Sequence, residues 1–278
     1  MYFLDLLKSL FFGVVQGVTE WLPISSTGHL ILFEQFLKFD SAGESFMEMY
    51  RVVIQLGSIL AVLVLFFDKL NPFSKKKSEK KKIRTWRLWV KVIIGVIPAA
   101  VLGFFLDDIF DKYLYNYVTV AITLVIYGVL FIVIENMNKK REPKYPTVDK
   151  MDYKTALAIG GFQCLALIPG TSRSGSTILG GMVMGTSRTA AAEFSFFLAI
   201  PVMFGASLLK MVKHGFAMTA GEAGILILGF ITAFVVSVAA IRFLMDFVKK
   251  HDFKLFGWYR IALGTIVFIV FIISIFAK

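Results

Sequence analysis

The sequence has little of what soluble proteins are made of. Among its 278 residues only 18% are charged, there is one cysteine (Cys164), and there are three histidines. A lone cysteine excludes an intramolecular disulfide, and no His/Cys cluster with zinc spacing is present. No Walker phosphate loop and no dinucleotide-binding glycine motif occurs, which argues against an ATP-driven pump. The alternation of apolar and polar residues that marks a membrane β-barrel is missing too, because the apolar residues come in long runs. What the chain has instead is 57% hydrophobic residues, 29 of them Phe, and a mean hydropathy of +0.74. Soluble domains sit at roughly 45–50% apolar even with Gly counted. These values exclude a disordered chain, a coiled coil and an ordinary soluble enzyme, and point to an all-α integral membrane protein. Asp5, Lys8 and Glu20 interrupt the first apolar stretch, so it does not read as a cleaved signal peptide.

Six apolar segments are long enough to span a bilayer: Val52–Phe67, Val92–Leu106, Tyr117–Ile134, Thr189–Leu209, Gly224–Ile241 and Gly257–Ala277. Two further stretches are interrupted, Leu4–Leu37 at Leu22-Pro23-Ile24-Ser25-Ser26-Thr27-Gly28 and Ala156–Met184 at Pro169-Gly170-Thr171-Ser172-Arg173-Ser174-Gly175. Each reads as two half-helices that dip into the membrane and return. The net charge of +11 is concentrated: Lys69–Lys91 holds ten Lys and Arg, Lys139–Lys154 six, and Lys249–Arg260 four. These runs read as membrane-flanking cytoplasmic loops rather than a nucleic-acid surface. The loop Asp107–Asn116 is net acidic and Lys210–Glu222 only weakly basic. Counting from the basic loops, the first hairpin enters and leaves on the outer face and the second on the cytoplasmic face. The expected organisation is therefore six transmembrane helices plus two re-entrant hairpins in a single membrane domain. Repeat one covers residues 1–137 (hairpin 4–37) and an inverted repeat two covers 155–278 (hairpin 156–184), with basic loops at 69–91 and 138–154. Gly13-x-x-Gln16 and Gly160-x-x-Gln163 precede the two breaks at an offset of 147 residues, with a one-residue slip after them. Inverted repeats with broken helices put a binding site where the repeats meet.

Both breaks carry polar chemistry. Gln16 and Glu20 are four apart and share a helix face. A carboxylate in so apolar a context faces the protein interior or a polar cavity, either as a structural partner of an internal donor or as a metal ligand or proton carrier. Ser25, Ser26 and Thr27 are ordinary helix-capping residues; Ser26, three before His29 and near Glu20, also has the makings of a nucleophile beside a proton carrier. Arg173 lies among Thr171, Ser172, Ser174, Ser176 and Thr177. A helix start with free N–H groups, clustered hydroxyls and an Arg fork suits a phosphate, while a salt bridge to Glu20 is the plainer use of the Arg. Arg188 and Glu193 are expected to pair, Arg260 to snorkel toward the cytoplasmic interface, His214 and His251 to lie in loops, and Cys164 to be a small buried hydrophobe.

Gln16-Gly17-Val18-Thr19-Glu20-Trp21-Leu22-Pro23-Ile24-Ser25-Ser26-Thr27-Gly28-His29 resembles the first signature of bacterial undecaprenyl-diphosphate phosphatases, the bacitracin-resistance proteins, and Pro169–Thr177 resembles the second. Val52–Val62 and Glu193–Phe197 are similar to the family as well, so the resemblance covers essentially the whole chain. It implies hydrolysis of undecaprenyl diphosphate to undecaprenyl phosphate and inorganic phosphate. That reaction recycles the lipid carrier for peptidoglycan and other envelope polymers and removes the target of bacitracin. It implies Glu20, Ser26, His29 and Arg173 as catalytic residues, with Ser26 the proposed nucleophile. Ser25, Thr27, Thr171, Ser172, Ser174 and Thr177 are implied to bind substrate, and Gln16 with Glu20 to hold a divalent cation, Mg2+ or Ca2+. Two departures stand out: Gln16 replaces the Glu of many relatives, and Arg51 stands where several have an acid. The expected partners are a polyprenyl diphosphate lipid and the bilayer, with a homodimer left open and no nucleic acid. The expected location is the bacterial plasma membrane, multi-pass, with the active site opening to the outer face. The rival reading is a transporter or flippase for a polyprenyl phosphate or another anion.

Overall fold

The computed structural model describes residues 2–34, 36–39, 43–214 and 218–276, and its long elements are all helices. They run α1 (Tyr2–Thr19), α2 (Ser26–Phe33), α3 (Glu44–Leu65), α4 (Phe67–Leu70), α5 (Glu79–Leu114), α6 (Tyr117–Asn138), α7 (Tyr153–Cys164), α8 (Arg173–Val183), α9 (Arg188–His214), α10 (Ala220–Lys250) and α11 (Lys254–Phe276). Seven of these, α1, α3, α5, α6, α9, α10 and α11, are long and apolar enough to cross a membrane. The protein is thus a multi-pass helical membrane protein. The seventh is α1, the long arm of the first interrupted stretch, whose best window has the lowest mean hydropathy of the seven at 1.2.

The helices meet through small residues. A Cβ on Gly128 of α6 would lie 2.7 Å from the carbonyl of Gly257 on α11, and one on Gly257 would lie 2.7 Å from that of Gly128. Gly13 and Gly17 let α1 close on Thr232 and Val236 of α10, and Gly160 of α7 touches the backbone of Gly95 on α5. In lipid, where helix association gains little from hydrophobicity, close backbone approach of this kind drives packing. The faces turned away from these contacts carry half-exposed aliphatics such as Ile97 and Val101 of α5 and Ile269 and Ile273 of α11. Pro98 and Pro201 lie inside α5 and α9.

The two interrupted stretches break in the same way. Ser25 (φ 73°) and Ser172 (φ 71°) are the non-glycine residues with positive φ among those described. Each is the N-cap of the following short helix, its hydroxyl accepting from the N–H three residues on, Gly28 and Gly175 respectively. The two serines are 147 residues apart, the same spacing as Gly13 and Gly160. A β-carbon makes this left-handed backbone strained, and such strain concentrates at functional turns. At the start of α7, Asp152 caps Thr155 N–H at 2.7 Å and accepts from Tyr145 Oη at 2.7 Å; these bonds, Tyr145 first, hold its carboxyl down at about 2.

Several sequence expectations change. Most of the stretch Asp107–Asn116 is not a loop; α5 continues to Leu114 and only Tyr115 and Asn116 link it to α6, because no Pro or Gly falls between Asp107 and Leu114 to interrupt the helix. His214 is the last residue of α9 rather than a loop residue, while His251 ends α10 as its C-cap. The expected loop Lys210–Glu222 lies partly outside the described residues. Arg188 and Glu193 do not pair. Arg188 makes a forked bond to buried Glu135, which also accepts from Phe253 N–H, and Glu193 takes Lys69 at 2.7 Å. Cys164 is half-buried.

Gly128→Ala should lower the melting temperature of the purified protein clearly, since its methyl runs into a carbonyl; overpacking of this kind costs about 1–3 kcal/mol. Gly161→Ala, which meets nothing within 4 Å, should leave it unchanged. Equal melting temperatures for the two variants would contradict the packing described.

Candidate functional site

The two breaks meet, and Glu20 is where they meet. It lies in the turn after α1, and its side chain is only 7% exposed. One carboxylate oxygen, Oε2, accepts from Gln16 Nε2 at 3.0 Å and from Ser26 Oγ at 3.3 Å. The other, Oε1, accepts from Arg173 Nη2 at 3.2 Å across 153 residues of sequence. Ser26 is the first residue of α2 and Arg173 the first residue of α8. Equivalent positions of the two short helices thus present a hydroxyl and a guanidinium to one carboxylate.

Arg173 is held from several sides. Its Nη1 donates to Ser195 O at 2.7 Å, and its guanidinium lies 5.6 Å from the ring centre of Trp21, which packs edge-on to Phe196. Thr177 Oγ1 lies one turn below, donating to Ser195 Oγ at 2.7 Å. Ser174 Oγ reaches back to the carbonyl of Glu20 at 3.2 Å and stands 3.1 Å from Ser172 Oγ. Ser172 and Ser25 cap their helices, which leaves the first N–H groups of α2 and α8 as anion donors at the breaks.

His29 is on α2 but not in this hydrogen-bond cluster. Its Nδ1 bonds the Ser25 carbonyl at 2.7 Å and its Nε2 bonds Tyr259 Oη at 2.7 Å, against whose ring it stacks. Neither nitrogen bonds Ser26 or Glu20. Thr27 is half-buried and also apart from the cluster, and Thr171 contributes its carbonyl rather than its hydroxyl.

The residue that sequence reasoning placed most wrongly is Arg260. It does not snorkel; it is fully buried. Its Nη1 donates to Pro23 O at 3.2 Å in the first break, and its Nη2 to Gly170 O and Thr171 O, both at 2.9 Å, in the second. Tyr127 lies beneath the guanidinium, 5.5 Å to its ring centre. One arginine from α11 therefore clamps the two breaks together through their carbonyls. Its position near a basic run suggested a flank; no local motif linked it to carbonyls 237 and 90 residues away. Ser195, Trp21 and Tyr259 were likewise missed as site residues, although Ser195 and Trp21 both lie within the motifs quoted above.

The donor set suits a hard cation. Gln16 Oε1 is buried and has no hydrogen-bond partner, and the Glu20 carboxylate is adjacent. Among the described residues no three His, Cys, Asp or Glu gather as a metal cage. Mg2+ and Ca2+ take oxygen ligands, and Mg2+ is commonly held by one or two carboxylates with substrate phosphates completing its shell. The residues present fit that second mode. On the far side of α2, Glu34 and Arg51 form a forked pair with both contacts at 2.6 Å, on the wall of an open cavity of about 350 Å³ at the start of α3.

Residues 9–266 match the family described as Bacitracin resistance protein BacA. Among similar sequences, a protein of Acetivibrio thermocellus is 58% identical, covering 97% of this chain and 98% of its own. One from Desulfitobacterium hafniense is 54% identical over 98% of both, and one from Enterococcus faecalis 55% identical over 96% of this chain and 97% of its own. All three carry the name undecaprenyl-diphosphatase.

Arg260→Met should destabilise the protein by about 3 kcal/mol or more, because it strands three buried carbonyls at once. A melting temperature in detergent equal to wild type would contradict the clamp.

Proposed function

The chain belongs to the bacitracin resistance protein BacA family, and from that premise we propose that it hydrolyses undecaprenyl diphosphate to undecaprenyl phosphate and inorganic phosphate. The observation that carries the reading is the hydroxyl of Ser26 set on the Glu20 carboxylate, beside the Arg173 fork. Phosphoryl transfer asks mainly for positioning and charge stabilisation, and this small constellation provides both.

In this mechanism the isoprenoid tail stays between helices and the diphosphate enters where the breaks meet. Arg173 and the free N–H groups of α2 and α8 take the phosphate oxygens, and Ser172, Ser174 and Thr177 add or orient donors. Ser26 Oγ passes its proton to Glu20 and attacks the terminal phosphorus. The bond from that phosphorus to the bridging oxygen breaks, and undecaprenyl phosphate leaves with the bridging oxygen. Water then hydrolyses the phosphoserine and releases inorganic phosphate. His29 positions the strained turn through the Ser25 carbonyl, its ring held in turn by the bond to Tyr259 Oη. Gln16 and Glu20 would hold the divalent cation, which when bound supplies positive charge against the diphosphate. Entry of the substrate weakens the Arg173–Glu20 pair, so the structural and functional uses of Arg173 are two states of one group.

The finer architecture belongs to the same proposal: six spans and two re-entrant pairs, α1–α2 and α7–α8, in inverted repeats 1–137 and 155–278. The matched Ser25 and Ser172 turns at the same offset as the paired glycines support it. So does the exchange of partners, with α1 packed on α10 and α7 on α5. On this reading α1 is the long arm of a re-entrant hairpin. On the same reading the basic loops face the cytoplasm, which their charge bias supports, and the site opens outward in a bacterial plasma membrane. A transporter or flippase would share the inverted repeat, but it leaves the Ser26–Glu20 contact without a role.

Ser26→Ala should lower phosphate release at least a thousandfold, on the order seen for other nucleophile deletions. Acid quench of wild type with labelled substrate should trap a phosphoryl group on Ser26; full activity in Ser26→Ala would contradict the covalent route. EDTA should abolish turnover, and added Mg2+ or Ca2+ should restore it. Gln16→Ala should raise the metal concentration needed for half-activity about tenfold, whereas turnover indifferent to EDTA would contradict a role for the cation.

A further inference from the structure

The basic end of α5 has two faces. Ile83, Trp86, Val90, Ile93 and Ile97, spaced three and four apart, are each between 47% and 51% exposed and form an outward apolar stripe. Phe73, 76% exposed, packs edge-on against Trp86 with ring centres 5.6 Å apart. Exposed aromatic side chains at the end of a span sit at headgroup depth. About a third of a turn round the helix, Arg84, Arg87 and Lys91 line a cavity of about 320 Å³ closed by Thr147, Asp149 and Lys150. An adjoining cavity of about 210 Å³ shares Arg84 and Asp149 with it and extends to Lys77 and Lys81.

These walls are built rather than a loose brush of surface charge. Lys91 is 5% exposed and donates to the carbonyls of Val148 at 3.0 Å and Asp149 at 2.9 Å, which locks the loop onto α5. Lys77 is engaged by Lys69 O, Asn71 O and Thr85 Oγ1. Lys81, Arg84, Arg87 and Lys150 are left without an ion-pair or side-chain hydrogen-bond partner among the described residues. We propose that these joined cavities hold the phosphodiester headgroup of an anionic phospholipid whose acyl chains lie along the Ile83–Ile97 stripe. Arginine forks match phosphate oxygens bidentately, and basic pockets between helices at a membrane surface favour anionic lipid. Asp149 on the shared wall can accept from headgroup hydroxyls, as in a glycerol headgroup. The site lies outside the Glu20–Arg173 cluster and stands whether or not the phosphatase reading holds.

The test is native mass spectrometry of the full-length protein in detergent with phosphatidylglycerol or phosphatidylcholine added. Wild type should retain phosphatidylglycerol about tenfold or more over phosphatidylcholine, and Arg84→Gln/Arg87→Gln should lose most of that preference. Its lipid-free melting temperature should match wild type. If that variant does not fold, Lys81→Gln/Lys150→Gln replaces it, with at least a threefold loss expected. No preference in wild type, an unchanged preference in the folded variant, or displacement of the lipid by millimolar inorganic phosphate would each overturn the proposal, the last by making the site one for free anions.

Discussion

A carboxylate buried in the middle of an apolar helical bundle must be satisfied or removed, and the structure is arranged around satisfying Glu20. An isolated charge in such surroundings is held only where donors converge on it. Here they come from one side chain a turn back on α1, one at the start of α2 and one at the start of α8. Taking any one away leaves a buried charge short of a partner. The breaks in both helix pairs follow from the same need. Only chain ends and helix starts can bring a hydroxyl and a guanidinium to a common point while keeping spare N–H groups free.

The clamp from α11 completes the arrangement. Arg260 bonds both breaks through carbonyls, while Arg173 meets a carboxylate. The first is a positive charge whose hydrogen bonds go to backbone carbonyls, and the second, in the proposed mechanism, is a charge that exchanges its carboxylate partner for the diphosphate. If this is the site that binds the diphosphate, as proposed, it gains from that division. One arginine keeps the geometry when the other changes partners. The small-residue contacts at Gly128 with Gly257 and at Gly95 with Gly160 hold the surrounding helices close enough for both arginines to reach.

Much of this was legible in the sequence, for stated physical reasons. Long apolar runs announce spanning helices because the bilayer leaves few alternatives, and Pro23, Pro169 and the Ser/Thr/Gly clusters announce the breaks. Gln16 and Glu20, four apart, were placed on one face, and Glu20 does join Ser26 and Arg173. The rest depended on distance in three dimensions. The pairing of Arg188 with Glu135 rather than Glu193 spans 53 residues, and that of Arg260 with the two breaks spans more. His29 reads as a neighbour of Ser26 by spacing, yet its ring turns to Tyr259, 230 residues on. The acidic stretch before Asn116 reads as a loop by polarity, yet lacks any residue that ends a helix. Seven helices are long and apolar enough to span where six were expected; the seventh is α1, whose interrupted continuation reads in the sequence as part of a hairpin.

In the proposed mechanism Glu20 and Arg173, from opposite halves of the chain, act as one unit on a phosphate. Phosphate release from undecaprenyl diphosphate by Glu20→Ala, Arg173→Ala and the double variant tests it most directly. Groups that work as a unit lose their effect together, so the double variant should be no more than about threefold worse than the worse single variant. If the two losses multiply, the residues act independently, and the two breaks do not form a single phosphate site.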